Sequence, residues 1–269
     1  MCGLAGHAGV DSQRIREQLT FGLGIGIDIR GGDAAGFATI TEDKTIAVGH
    51  KPGCWINARE RFLQRASEGT LSMLHARFAT CGTGAITEAH PFVIKREGKT
   101  ILFGAHNGII YNAYSSAQRN GRKLTVDSKE LFELLADKDY EGLKRLQGYG
   151  VITWIEADNP TCMFVHRLTA MSDFHIEQLE HGGFVWGSTR EIVARALDMA
   201  DLNYTCHYDL DVGVTYRVTP TAITIPNMPL WQIGSGFSFT MPVGWHSVAD
   251  EEWAAEFRTA MEKDKSDAV

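Results

Sequence analysis

A chain of 269 residues with 44% apolar and 22% charged residues has the make-up of a soluble globular protein, with enough material for one large domain or two small ones. Its formal net charge of −7 gives no electrostatic footing for nucleic acid or an anionic membrane, and no stretch approaches the ~18 uninterrupted apolar residues of a membrane span. The five cysteines are scattered without a C-x-x-C pair, and the start lacks a basic segment leading into an apolar core. Zinc, a disulfide framework and secretion are therefore disfavoured, and a reducing, cytoplasmic setting is expected.

The chain opens Met1-Cys2-Gly3. Methionine aminopeptidase removes Met1 when the next side chain is small, which would leave Cys2 with a thiol and a free α-amine on one residue. That pairs a nucleophile with a base of ordinary pKa about 8. Leu4 to Val10 reads as a strand, and Asp11 and Ser12 fit a cap for a helix from Gln13 to Leu23. The glycine-rich turn from Asp28 to Gly36 has neither G-x-G-x-x-G spacing nor the lysine of a phosphate loop. Phe37 to Thr41 and Thr45 to Gly49 suit a hairpin, Asn57 to Ala66 a helix, and Leu71 to Phe78 a buried strand that delivers His75 and Arg77 to its end.

A polar loop through Thr80-Cys81-Gly82-Thr83-Gly84 leads to His90-Pro91-Phe92. Ile101 to Ala105 is an apolar strand, and His106 to Asn112 is expected to be the loop after it, where functional groups tend to sit. Helices are expected over Asp127–Leu135 and Asp139–Leu146. Strands follow at 151–157, 162–168, 174–179, 184–187, 213–218 and 222–225, with a helix at 190–199. Strands and helices in separate runs argue for an α+β layered fold rather than a doubly wound parallel sheet. After Ile225 the prolines and glycines suggest an irregular segment with aromatic anchors from Trp231 to Trp245, a candidate docking surface. An amphipathic helix is expected at Asp250–Lys263.

Several of these stretches together resemble the class II glutamine amidotransferases, whose members are N-terminal-nucleophile hydrolases. Cys2-Gly3-Leu4-Ala5-Gly6 looks like the mature N-terminus of that family, and Arg30-Gly31-Gly32-Asp33-Ala34-Ala35-Gly36 resembles its R-G-x-D-S-A-G turn. His75-Ala76-Arg77-Phe78-Ala79-Thr80 is similar to H-[ST]-R-[WF]-A-T, followed at a suitable distance by Ala89-His90-Pro91-Phe92. His106-Asn107-Gly108-Ile109-Ile110-Tyr111-Asn112 looks like the H-N-G-x-I-x-N stretch, Val126-Asp127-Ser128 the S-D-[ST] helix start, and Trp186-Gly187-Ser188-Thr189 a late strand–helix junction. The pattern is nearest to the glutaminase domain of glucosamine-6-phosphate synthase and spans residues 2 to 225.

The resemblance implies a four-layer αββα sandwich of the N-terminal nucleophile hydrolase type, with residues 1–226 as the glutaminase domain and 227–269 as a C-terminal segment. It implies a Cys2 nucleophile, an oxyanion hole from Asn107 and Gly108, and a glutamine pocket of Arg77, Phe78, Thr80, Cys81 and Asp127, braced by Arg30, Asp33 and His75. The residue types suit the chemistry: Arg77 can clamp an α-carboxylate through two parallel hydrogen bonds, and Asp127 can take the α-ammonium. Asn supplies an amide donor, and Gly lets its own N–H approach closely. No metal or cofactor is expected.

Two residues depart from the pattern: Cys81 stands where relatives often carry His, and Lys129 where they often carry Glu. The implied activity is hydrolysis of the γ-amide of L-glutamine through a Cys2 thioester. A chain ending at Val269 is short for a fused synthase, so an ammonia-accepting synthetase or transferase in another chain is expected, or free glutaminase activity. The alternatives are an N-terminal-cysteine amidase acting on another γ-glutamyl or acyl amide, and a catalytically silent glutamine-binding module.

Overall fold

The computed structural model describes residues 2–79, 82 and 85–234. The first part of the chain forms β1 (Gly3–Ala8), α1 (Gln13–Asp28), β2 (Ala34–Ile40), β3 (Ile46–Pro52), α2 (Glu60–Ser67) and β4 (Leu71–Arg77). The middle forms β5 (Phe92–Arg96), β6 (Lys99–Ile110), α3 (Ala113–Arg119), α4 (Ser128–Ala136), α5 (Tyr140–Lys144), β7 (Gly148–Glu156) and β8 (Met163–Arg167). The last part forms β9 (His175–Leu179), β10 (Phe184–Gly187), α6 (Arg190–Ala200), β11 (Tyr204–Tyr208), β12 (Thr215–Val218) and β13 (Ile223–Thr224).

These strands make two antiparallel sheets. One has seven strands in the order β11-β9-β10-β1-β4-β2-β3, the other six in the order β13-β12-β8-β7-β6-β5. The period-two alternation of side chains decides what each face meets. On β1 and β4, Leu4, Ala8, Leu71 and Met73 point at the second sheet and pack with Ala105, Val151 and Val165. Ala5, Leu74 and Ala76 point the other way, onto Leu19, Leu23 and Ile27 of α1 and Ile192 of α6. Behind the second sheet, Ile152 and Trp154 pack with Leu131, Phe132 and Leu135 of α4 and Leu143 of α5. The chain is therefore the expected αββα sandwich. Every residue of β1 and β4 is buried because both faces are covered.

Several elements differ from the sequence expectation. Helix α1 runs to Asp28 instead of stopping near Leu23, although its last turns carry three glycines. Those glycines serve packing: a Cβ at Gly22 would lie 3.0 Å from Ala196 of α6, and one at Gly24 2.9 Å from the Trp55 ring. Strand β6 continues through His106-Asn107-Gly108 to Ile110, so the expected loop is ladder, paired with β7 from Leu102↔Glu156 to Ile110↔Gly148. The sequence reading passes over β5, α3 and β11. Helix α3 is a short polar helix, and β11 is a largely exposed edge strand with no apolar alternation.

Trp231 and Ile233, at the head of the expected docking segment, are buried in the core behind the second sheet, where the Trp231 ring stacks on His166 with centroids 3.9 Å apart. Residues 235–245 of that segment and the helix expected at Asp250–Lys263 lie outside the described residues. Among the described residues no helix is long and apolar enough to cross a membrane.

Three buried histidines make the fold acid-sensitive. Burial lowers the pKa of His7, His75 and His166 to about 3 each, whereas an unfolded histidine titrates near 6.5. Between those values the unfolded chain binds more protons, so stability is full above about pH 6.5 and falls as pH drops, by about 1.4 kcal/mol per pH unit for each histidine. Denaturant midpoints measured from pH 7 to pH 4 should decline steeply. A flat profile would show that these rings are not held neutral.

Candidate active site

The site lies where the ends of β1 and β4 meet β6. Cys2 precedes β1, and its side chain rests on the residue just beyond β4: the Phe78 N–H donates to Cys2 Sγ at 3.4 Å, and the thiol contacts the Phe78 carbonyl at 3.6 Å. Burial pushes the Cys2 thiol up, against the opposing pull of the Phe78 N–H and the Arg77 charge. The carbonyl of Cys2 accepts a hydrogen bond from Arg30 Nε at 3.1 Å. Asp33 accepts from the Ala79 N–H at 2.7 Å and donates its own N–H to the Arg77 carbonyl at 3.0 Å. Between them Gly31 passes so close to β4 that a Cβ there would lie 2.5 Å from the Arg77 carbonyl carbon. The glycine turn thus braces Cys2 and the strand end together.

A cavity with ≈ 280 Å³ of empty space opens beside Cys2, lined by Cys2, Arg77, Phe78, His90, Gly108, Val126, Asp127 and Ser128. Five of the residues singled out in the sequence, Cys2, Arg77, Phe78, Gly108 and Asp127, therefore share one wall. Arg77 forms a buried ion pair with Glu88, Nη2 to Oε2 at 3.2 Å, both side chains 3% exposed. Asp127 Oδ2 accepts from the Ile110 N–H at 2.8 Å, so the carboxylate is fixed from the β6 side. Its side chain makes no cap bond to the α4 it precedes, which removes the purely capping role. Lys129 is half-buried on α4 and is not among the lining residues. Thr80 and Cys81 lie outside the described residues.

Alternation along β6 separates two neighbours. Asn107 points between the sheets, where its Nδ2 donates to Ser188 Oγ at 2.9 Å. His106 points outward: Nδ1 faces Ser128 Oγ at 2.8 Å and Nε2 faces the Tyr149 carbonyl at 3.2 Å. A carbonyl can only accept, so Nε2 carries the proton and Nδ1 accepts from Ser128. Room for this ring comes from the paired glycines Gly108 and Gly150, whose added Cβ atoms would come within 2.6 and 2.2 Å of His106 Nε2.

Behind the cavity His75 Nε2 meets the His106 carbonyl at 3.2 Å and His90 Nδ1 at 2.8 Å. Burial holds both His75 and His90 far below the usual histidine range, so this cluster is neutral. Sequence reasoning gave no role to Glu88, Ser128 or Ser188. The signals available were the acid in Thr87-Glu88-Ala89-His90 and the Ser-Thr pair after Gly187.

The chain is similar to known proteins in both sequence and fold. Over 147 residues, 51% of this chain and 28% of the relative, the sequence is 31% identical to the amidophosphoribosyltransferase of Escherichia coli K12. Over 182 residues, 62% of this chain and 28% of the relative, it is 29% identical to a glutamine–fructose-6-phosphate aminotransferase (isomerizing) of Rhizobium meliloti strain 1021. Those relatives carry class II glutamine amidotransferase domains, and it is to these that the chain is similar.

Among solved structures, a glutamine phosphoribosylpyrophosphate amidotransferase from B. subtilis complexed with ADP and GMP superposes with a TM-score of 0.62 at 18% identity, covering 83% of this chain and 48% of that one. A second, described as the allosteric regulatory enzyme of purine biosynthesis, gives 0.64 at 20% identity over 82% and 48%. No protein-family model matches the chain. The match to those two curated relatives spans only 28% of their length.

The raised Cys2 thiol has a measurable consequence. Alkylation by iodoacetamide requires the thiolate, so with Met1 in place its rate at Cys2 should climb about tenfold per pH unit through neutrality and beyond pH 9. A plateau reached below pH 8 would mean that the thiol is ionised by its surroundings instead.

Proposed function

We propose that the chain hydrolyses the γ-amide of L-glutamine to glutamate and ammonia through a thioester on Cys2. The observation that carries this reading is the juxtaposition of Cys2 with Arg77 and Asp127 around one cavity. A zwitterion with a reactive side chain needs one cation, one anion and a nucleophile, and that wall offers all three.

Removal of Met1 makes the nitrogen of Cys2 a free amine. That amine takes the thiol proton, which matters here because burial keeps the thiol protonated. The sulfur then bonds to the γ-carbon while Asn107 and the Gly108 N–H receive the developing oxyanion. The C–N bond breaks, the proton held by the Cys2 amine goes to the departing ammonia, and water cleaves the thioester to give glutamate. Arg77 clamps the α-carboxylate, Asp127 the α-ammonium, Phe78 with Thr80 and Cys81 lines the pocket, and Arg30, Asp33 and His75 brace it.

The longer relatives are a phosphoribosyltransferase and an aminotransferase by name. On that pattern ammonia passes from this domain to an acceptor-binding synthetase or transferase, which we place in another chain. Elution of the active glutaminase from its native extract at the mass of the single chain would count against that placement.

Processed protein should release equimolar glutamate and ammonia from glutamine, and Cys2→Ala should release neither. Arg77→Lys should raise KM about tenfold or more with little change in kcat, because an ammonium cannot reproduce the fork that a carboxylate fits. Intact mass showing Met1 on the active protein, or equal turnover of α-N-acylated glutamine, would sink the mechanism.

A further inference from the structure

We infer that Ser188 is a positioning residue: it sets the direction of the Asn107 amide and references it to the strand that carries Cys2. Its kinetic consequences rest on the glutaminase reading above. Ser188 sits at the junction of β10 and α6 and is 2% exposed. A serine hydroxyl has one hydrogen to give and two acceptor positions. All three are used. The Leu4 N–H donates to Ser188 Oγ at 2.8 Å, Asn107 Nδ2 donates to it at 2.9 Å, and the hydroxyl donates to the Leu4 carbonyl at 3.0 Å. The Ser188 N–H meets the same carbonyl at 2.8 Å.

This valence count fixes the chemistry of the neighbour. With its hydrogen committed to Leu4, Ser188 can only accept from Asn107, so the amide must present nitrogen here, with its oxygen turned away. One of the two Nδ2 hydrogens is held by Ser188 and the orientation of the other follows from it. Leu4 lies two residues after Cys2 on the same strand. One buried hydroxyl therefore ties a donor on the second sheet to the backbone next to the nucleophile on the first. An apolar residue at 188 would leave the Leu4 N–H and the Asn107 amide without this partner, free to pair differently.

The test combines kinetics with a readout that needs no activity. Ser188→Ala in processed protein should lower kcat for glutamine about 10- to 100-fold, a fraction of what losing an oxyanion donor outright costs, with KM within about twofold. Ser188→Thr, which keeps the hydroxyl, should recover most of the loss. The double variant Asn107→Ala/Ser188→Ala should be no slower than Asn107→Ala alone, because both changes remove one unit. Losses that multiply in the double variant, or an unchanged kcat in Ser188→Ala, would overturn the proposal.

Independently, NMR hydrogen exchange on a Cys2→Ala background should show the Asn107 side-chain amide and the Leu4 N–H exchanging faster once Ser188→Ala is added. Equal exchange would refute the coupling. Faster exchange in a protein whose wild type makes no glutamate would refute the glutaminase reading and leave the coupling standing. Where Ser188→Ala does not fold, judged by its unfolding midpoint, the near-isosteric Ser188→Cys, a poor acceptor, serves for both readings.

Discussion

The site is assembled from two sheets that are otherwise joined by greasy contact, and that sets the central constraint. Leu4, Met73, Ala105 and Val151 hold the sheets face to face. Such packing is strong but non-directional, and it tolerates small slides that would misplace a reacting group. Direction comes from polar bonds that cross the gap: Asn107 to Ser188, and His75 to the His106 carbonyl. Each is worth about 1 kcal/mol net, but leaving one of these buried groups unpaired costs about 1–3 kcal/mol. The asymmetry penalises every displaced arrangement more than it rewards the native one, which is what a site built across an interface requires.

Burial also decides which groups carry charge. His75, His90 and His106 are all pushed down by desolvation, so the rings behind the cavity act as neutral donors and acceptors. The same desolvation raises the Cys2 thiol. A buried neutral thiol is a poor nucleophile, and these imidazoles are too weakly basic to help it. On the proposed reading the demand for a base then falls on the amine that processing would expose, which would link maturation to the electrostatics of the pocket.

Much of this was legible in the sequence, for identifiable reasons. Cys2, Arg77, Phe78, Gly108 and Asp127 sit in short contiguous motifs, and motifs at strand ends survive folding as local geometry. The α+β layered class followed from strands and helices occurring in separate runs, and the αββα order of layers was what the family resemblance implied. Sequence reading failed where tertiary context overrode local preference. Helix α1 was expected to stop near Leu23, yet Gly24 and Gly26 lie within it because neighbouring side chains fill the space of their missing Cβ atoms. His106 to Asn112 read as a loop, yet Asn107-Gly108 lies in the ladder because Gly108 faces Gly150 across it and leaves room for an imidazole. Glu88 and Ser188 were passed over because their importance lies wholly in what they touch, 11 and 81 residues away from Arg77 and Asn107.

Glu88 changes how the pocket must discriminate. A cation buried alone would attract any carboxylate, whereas Arg77 is already paired with Glu88 at 3.2 Å. A buried pair of this kind contributes little net stability, but removing either partner strands a charge. Gly82 passes close to that pair, since a Cβ there would lie 2.5 Å from Glu88 Oε2. An incoming carboxylate on the proposed reading must therefore share the guanidinium with Glu88, which the five N–H donors of an arginine fork permit and a lysine does not. With the charge of Arg77 largely offset, a plain organic acid gains little Coulomb attraction, and the pull of Asp127 on the α-ammonium becomes the stronger of the two. Selection for a zwitterion over a simple anion then follows from the arrangement of Arg77, Glu88 and Asp127 together, and not from the strength of any one of them.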